Sequence, residues 1–514
     1  MSLLLITFAL PLIGFFAILF ARRDSRGPFL IALGATIAAF LVSLGLIAPA
    51  VANPAQFTSA VDAMWIDTPG LQIRFHLGID GINLWLVLLT TLLLPIGVWV
   101  SRTMIHERQK NFFALLLLFE FGLVGVFTAL DLFAFYVFWE VALVPMCLMV
   151  GGWGTPRSRP AAVKFFVYTM LGSVLMLATI IYLHSQAATF DYVDLMNAFG
   201  SGRVLLSPVQ QGAILLGFFA AFAVKVPIFP LHTWLPDTYS EAPAPATFLL
   251  AAVMSKMGTY GLIRFAITLA PMGAHRCAPW IVVLAIIGIV YGALLALVQS
   301  NIKRLLAYSS VSHLGFIVLG IFSFSQQGAD GAVYQMIAHG LSTGALFLLA
   351  GYLEQRRSST EISDFGGIAT PAPGLATAFM IALLASIGLP ALCNFIGEFL
   401  VLQGAALTKF SWAAWAALGV ILSAAYMLWM YQRTFFGKPS ESNATFADLR
   451  GRDWAPLVPL IVLMVWLGTY TPSFLPPISA ATAHLLDATS MSNEYRVKTS
   501  QPAPAEVAEF FHAR

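Results

Sequence analysis

Residues 218–236 read FFAAFAVKVPIFPLHTWLP. An apolar run long enough to enter a bilayer is cut by Pro227, Pro230 and Pro236, and Lys225 stands just before the first of them. Proline removes a backbone donor and clashes with the preceding turn. In lipid the freed carbonyls must find other partners, so such a segment survives only where protein or water surrounds it. Residues 383–400, LLASIGLPALCNFIGEFL, repeat the pattern, with Gly388 and Pro390 at the break and Glu398 beyond it. A broken apolar helix that carries a charge reads as the lining of an ion path.

The rest of the chain supplies the bilayer setting. Of its 514 residues, 59% are hydrophobic and 10% charged, and the mean hydropathy is +0.83. Soluble domains carry about 25% charge and about 45–50% apolar residues, so no water-facing surface can be built here. A spanning helix needs about 20 apolar residues. About fourteen segments qualify: 3–20, 28–50, 82–100, 112–130, 132–150, 161–184, 211–232, 244–269, 280–299, 305–324, 332–352, 374–402, 412–436 and 456–474. The expected fold is all-α and polytopic. The first segment has no basic residue ahead of it and Arg22 and Arg23 behind it, the reverse of a cleaved signal, so it reads as a retained span.

Lys and Arg concentrate in loops after odd-numbered spans, among them Arg22, Arg23, Arg26, Arg102, Arg108, Lys110, Arg157, Arg159, Lys303, Arg304, Arg450 and Arg452. Positive loops stay on the cytoplasmic side, which puts both termini on the external side. The stretch 51–80 reads as an external loop with Asp62, Asp67 and Asp80. The polar chain after Phe474 reads as a weakly ordered tail. The net charge of +3 is too small to suggest nucleic acid.

The breaks fall in the seventh and twelfth spans. If spans four to eight form one unit and nine to thirteen another, the broken helix is fourth in each. An odd number of spans makes the second unit enter from the opposite face, as in inverted-repeat transporters. Two unrelated proline kinks are the alternative. The expected organisation is 1–111, three spans and the external loop; 112–270 and 279–436, the two five-helix repeats; and 437–514, the last span and tail.

Inside the spans lie Glu120, Glu140, Lys225, Lys256, His313, His339 and Glu398. A charge at the bilayer centre costs from ~3 to over 10 kcal/mol. So many such groups must face inward, pair, or touch water. Desolvation opposes the charged form of lysine and carboxylate alike, and this readies both to exchange a proton. Any one of them could be a structural hydrogen bond or a snorkelling side chain. Lys164 and Arg264, near span ends, read as snorkelling side chains or as groups at a headgroup boundary. Lys225, Lys256, Glu140 and Glu398 together read as functional.

Cys147, Cys277 and Cys393 are too few and too dispersed for an iron–sulfur cluster or a disulfide framework, and read as apolar fillers. The sequence has no Walker loop and no GxGxxG. No NADH, flavin, metal cluster or ATP site is expected, so energy for transport must come from a partner or an ion gradient.

The stretches HTWLPDTYSEAP (232–243), LLAAVMSKMGTYGLIRF (249–265) and NIKRLLAYSSVSHLGF (301–316) resemble the antiporter-like membrane subunits of complex I. DLFAFYVFWEVALVPMCLMVGGWG (131–154), HGLSTGALFLLAGYLEQR (339–356) and GLPALCNFIGEFL (388–400) extend the likeness over about 112–436. Glu398 on the second broken helix, where relatives usually have Lys, looks M-type, as does the short chain after the last span. EAPAPATF (241–248) departs from the usual M wording.

The resemblance implies a proton-translocating subunit of an NADH:quinone oxidoreductase, in a membrane such as the bacterial inner membrane. It implies L-like and N-like neighbours, with NADH, flavin, iron–sulfur clusters and quinone held by partner subunits. Glu140 and Lys225 would form a coupled pair and Lys256 the central lysine. His313 and His339 would carry protons across the middle, Glu398 would be the terminal carboxylate, and Glu120 would belong to the same relay. A cation/proton antiporter subunit and an inert membrane scaffold are the competing readings.

Overall fold

The computed structural model describes residues 2–22, 26–68 and 71–490. The chain opens with α1 (Leu3–Phe20) and α2 (Gly27–Ala52), then an antiparallel hairpin of β1 (Thr58–Thr68) and β2 (Leu71–Ile79). Next come α3 (Leu84–Met104), α4 (Gln109–Thr128), α5 (Leu132–Trp153), α6 (Ser158–Ala187), the short α7 (Tyr192–Gly200) and α8 (Pro208–Lys225). After a break, α9 (Trp234–Glu241) leads to α10 (Ala244–Leu269), α11 (Pro271–Leu297), α12 (Ile302–Phe322) and α13 (Gln326–Arg357). The chain continues through α14 (Pro373–Ser386), α15 (Cys393–Thr408), α16 (Phe410–Phe435), α17 (Gly451–Thr469) and α18 (Leu475–Thr489).

Thirteen of these helices are long and apolar enough to cross a membrane. The expected twelfth span is divided between α14 and α15. At 14 and 16 residues and ~1.5 Å per residue, neither reaches across ~30 Å of hydrocarbon. The break between them holds Gly388 at φ +78° and Pro390. The seventh span, expected to run to His232, ends instead at Lys225, where Pro227 halts it, and resumes as α9.

The helices differ sharply in what surrounds them. All of the most apolar window of α10 and of α13 is buried inside the protein, and 94% of that of α12, against 33% for α1 and 39% for α6, α16 and α17. The outer helices are apolar because lipid surrounds them. The three inner ones are shielded from lipid by their neighbours, so polar side chains are tolerated there.

One fastening occurs twice. At the start of α5, Leu132 N–H donates to Phe190 O (2.9 Å) and Tyr192 N–H to Leu130 O (2.7 Å). At the start of α12, Ile302 N–H donates to Thr360 O (2.8 Å) and Ile362 N–H to Ser300 O (2.7 Å). The residue before each helix caps it: Asp131 accepts from Phe133 and Ala134 N–H, and Asn301 from Arg304 N–H.

Three expectations are corrected. The stretch 51–80 is no irregular loop: within it Thr58–Thr68 and Leu71–Ile79 pair antiparallel, through the Asp62–His76 register. The chain after Phe474 forms α18, tied down by Gln326 Nε2 to Ser479 O (3.0 Å) and by Thr482 Oγ1 to Asp330; the remainder of the tail, from 491, lies outside the described residues. Arg264 does not snorkel but pairs with Asp80 at 2.5 Å, both side chains buried. Lys164, half-exposed, binds Asp237 (2.7 Å) and Thr233 O (2.8 Å), so it braces the first break.

Candidate functional site

Lys256 lies on the wholly buried α10, between two π-helical stretches, Leu250–Met254 and Leu262–Ala266. Wide turns free backbone carbonyls from their usual partners and concentrate at functional sites. One of these carbonyls, Ala251 O, accepts from Lys256 Nζ at 2.7 Å, and Ser255 Oγ lies at 3.2 Å. The third polar neighbour of the ammonium is His339 Nδ1 on α13, at 2.8 Å. All of Lys256 and His339 is buried.

From His339 the groups continue toward α15. Its ring centroid is 5.7 Å from that of His313 on α12. His313 Nδ1 meets Glu398 Oε1 at 2.8 Å, and Gln335 Nε2 donates to the same oxygen at 3.0 Å. The Nε2 atoms of both histidines are buried without a protein partner. Across the break, Gly388 leaves room for the carboxylate: a β-carbon there would stand 3.1 Å from Glu398 Oε2. Four helices thus bring Lys256, His339, His313 and Glu398 into one line.

The earlier residues are arranged differently. Lys225, the last residue of α8, is buried, and its Nζ has no hydrogen-bond partner among the described residues. It sits over the rings of Trp139 (5.3 Å) and Phe165 (5.2 Å), within cation–π range. Glu140 follows Trp139 on α5 and is half-buried, with Oε1 unpartnered. Glu140 and Lys225 do not form an ion pair. Gly258 lets α8 approach α10, since a β-carbon there would lie 3.0 Å from Lys225 Cβ. The two lysines therefore share a helix crossing but point to different surroundings. Glu120 on α4 is fully buried, and neither of its carboxylate oxygens has a hydrogen-bond partner among the described residues.

Sequence reasoning missed four contributors: Gln335, the aromatic seat of Lys225, the Asp80–Arg264 pair, and Asp237, which holds both Lys164 and Arg304 (3.2 Å). Gln335 carried a signal. It stands four residues before His339, one turn away on the same helix face.

A separate polar cluster fastens the hairpin to the helix ends. Arg74 reaches Asp62 and Asp194 (3.2 Å), its N–H donates to Asp131 (3.1 Å), and His76 Nδ1 meets Asp191 at 2.5 Å. Burial opposes the His76 imidazolium, but the hydrogen bond and charge of Asp191, with the charge of Asp62, outweigh it. Its pKa is held above the ordinary histidine value. Asp131 is pushed up to about 6 by burial, partly offset by its three backbone donors.

Among the described residues, no group of three or more His, Cys, Asp or Glu is placed to hold a metal ion. The three cysteines are unpaired, Cys393 being buried at the start of α15.

Known proteins match this arrangement. A family described as NADH:quinone oxidoreductase/Mrp antiporter, TM, matches residues 129–424. NADH-quinone oxidoreductase subunit M of Rhodobacter capsulatus is 42% identical over 89% of this chain and 90% of its own length. NADH-ubiquinone oxidoreductase chain 4 of Arabidopsis thaliana is 38% identical over 93% of this chain and 95% of its own. Among solved structures, a chain of respiratory complex I from Thermus thermophilus with bound NADH superposes with TM-score 0.85 and 35% identity. It covers 95% of this chain and 100% of that one. The Mrp complex from Dietzia sp. DQ12-45-1b shares the fold, with TM-score 0.82 at 20% identity, over 97% of this chain and 99% of that one.

Proposed function

This chain belongs to the NADH:quinone oxidoreductase/Mrp antiporter membrane family, as a complex I antiporter-like subunit of the M type, and on that footing we propose that it carries protons across the bilayer through its buried Glu, Lys and His residues. The observation that carries the reading is the line from Lys256 through His339 and His313 to Glu398, the first three on helices enclosed by the rest of the protein and Glu398 itself buried. Each member can gain or lose a proton, and each lies against the next or within a ring's width of it. Their titrations belong to the network as a whole.

Lys225 and Glu140 form the controlling end. With an ionised carboxylate close by, Lys225 keeps its proton. Without that partner, its aromatic seat is a poor home for a full charge, and the proton passes to the Lys256 side. Glu398 is the exit carboxylate, and Glu120 serves the same relay from α4.

The two units, 112–270 and 279–436, are inverted copies of one another. The recurring fastening at Leu132 and Ile302, and the break in the fourth helix of each, support this. The chain works beside other complex I membrane subunits, L-like and N-like ones foremost. It has no cofactor of its own; NADH, flavin, iron–sulfur and quinone chemistry occurs in partners, whose quinone reduction drives the relay. Both termini and the hairpin face the external side of a bacterial inner membrane.

The alternative, a subunit of a cation/proton antiporter, shares the fold at far lower identity. Glu398 in place of Lys also separates the two readings.

The test uses the assembled complex in sealed vesicles. Lys225→Ala and Glu140→Ala should assemble and oxidise NADH, yet acidify the lumen at least tenfold more slowly. Undiminished proton uptake per electron pair in either variant would overturn the relay.

A further inference from the structure

Two hollows meet at the end of the bundle where α1 to α4 carry their basic residues. The first, a cavity of about 630 Å³, is lined by Arg26, Arg102, His106, Arg108 and Lys110, with Phe29 and Phe113 below them. Among the described residues, no carboxylate lines it and none of these four Arg and Lys residues forms an ion pair. They are held in place by other contacts. Lys110 Nζ donates to Leu19 O and Ala21 O, both at 2.8 Å. The Arg102 guanidinium lies 4.6 Å over the Phe29 ring. That of Arg108 lies 4.6 Å over Trp153 and donates to Gly152 O at 2.5 Å.

The second hollow, about 880 Å³, shares Arg108 and Asn111 with the first and continues from it between α1, α4, α5 and α6. Its walls include Leu115, Leu148, Val163 and Phe166, with Arg159 at the rim. Val163 is 62% and Leu148 53% exposed. A positively charged cup that opens into an apolar furrow matches one kind of molecule, with a negative head and hydrocarbon chains. A free anion would use the cup and leave the furrow idle. A zwitterionic lipid would bring a cation of its own into a cup whose charged side chains, among the described residues, are basic.

We propose that these hollows bind an anionic phospholipid, its phosphate among Arg26, Arg102, Arg108 and Lys110 and its chains along Leu115, Leu148 and Val163. Basic pockets between spanning helices recognise anionic head groups, and each nearby Lys or Arg contributes about fivefold in affinity. The furrow borders the helices that seat Lys225, but the cup is lined by none of the proposed relay residues, so substitutions in the cup separate lipid binding from transport.

The experiment takes the assembled complex in phosphatidylcholine vesicles doped with spin-labelled phosphatidylglycerol. The parent complex should retain the label in preference to spin-labelled phosphatidylcholine. Arg102→Gln with Arg108→Gln should weaken retention roughly 25-fold, as two lost charges predict. Val163→Trp, at an exposed position, should weaken it by filling the furrow. Three results would each overturn the site: both variants retaining the label like the parent; millimolar inorganic phosphate displacing the label as well as lipid does; or a Val163→Cys crosslink captured by a neighbouring subunit instead of lipid.

Discussion

Two lysines meet at one helix crossing and lead different lives. Lys256 has a carbonyl, a hydroxyl and an imidazole around its Nζ, whereas Lys225 has two aromatic faces and no bonded partner. On the proposed function, the first, tied to its neighbours, belongs to the conducting part of the relay. On the same proposal the second, held by no hydrogen bond, is the group whose charge would follow its distance to Glu140.

The contrast can be broken in stability as well as in transport. The largest loss should follow Glu398→Ala. It strands His313 Nδ1 and Gln335 Nε2, at ~1–3 kcal/mol for each buried polar group left unsatisfied, on top of the cavity left by the side chain. Glu398→Gln should recover much of the lost thermal midpoint without restoring proton uptake. If both variants melt like the parent, the carboxylate does not anchor that end of the line.

The two lysines themselves provide the next comparison. Lys256→Met leaves His339 and the Ala251 carbonyl without their donor and should cost ~1–3 kcal/mol. Lys225→Met removes an unbonded ammonium and should leave the melting temperature unchanged or raise it. Equal destabilisation in both would erase the difference between a wired and an isolated group.

Gly388→Ala should cost ~1–2 kcal/mol, because the site requires a left-handed backbone, and it should also press on Glu398 Oε2. A variant that melts lower and pumps slowly, with redox activity intact, would mark the break as a support for Glu398 in its proposed role.

The smallest effect belongs to the hairpin, where pH gives the sign. The folded pKa of His76 is raised, so its contribution is fully present below the ordinary histidine value of about 6.5 and is lost as pH climbs through the raised value. His76→Gln should therefore lower the melting temperature at pH 5.5, with the gap to the parent narrowing as pH is raised to 9. A gap that widens with pH would refute the Asp191 pairing.

Much of this arrangement was legible in the residues. Apolar length marked the spans, prolines marked both breaks, and burial cost singled out the titratable groups. What stayed hidden was which group meets which. Lys256 and His339 are 83 positions apart, and their contact is fixed by how α10 packs on α13, which hydropathy does not encode. The 51–80 stretch read as a loop because its charges mask a strand pattern, although Pro69 and Gly70 form a turn signal between its two arms. α18 was obscured by its modest hydropathy. Its prolines at 476 and 477 mark a helix start, and Ile478, Ala481 and Leu485 form a buried stripe. Arg264 was misjudged because nearness to a span end in sequence says nothing about the Asp80 that waits for it.

The two wide turns of α10 have one more consequence. Each holds a residue beyond what ordinary winding would need over the same rise, so the helix carries slack in its own coil. If the turn before Lys256 tightened while the other end stayed fixed, the lysine would swing about 100° around the axis and travel ~1.5 Å along it. That is enough to unplug it from His339 with no neighbouring helix displaced.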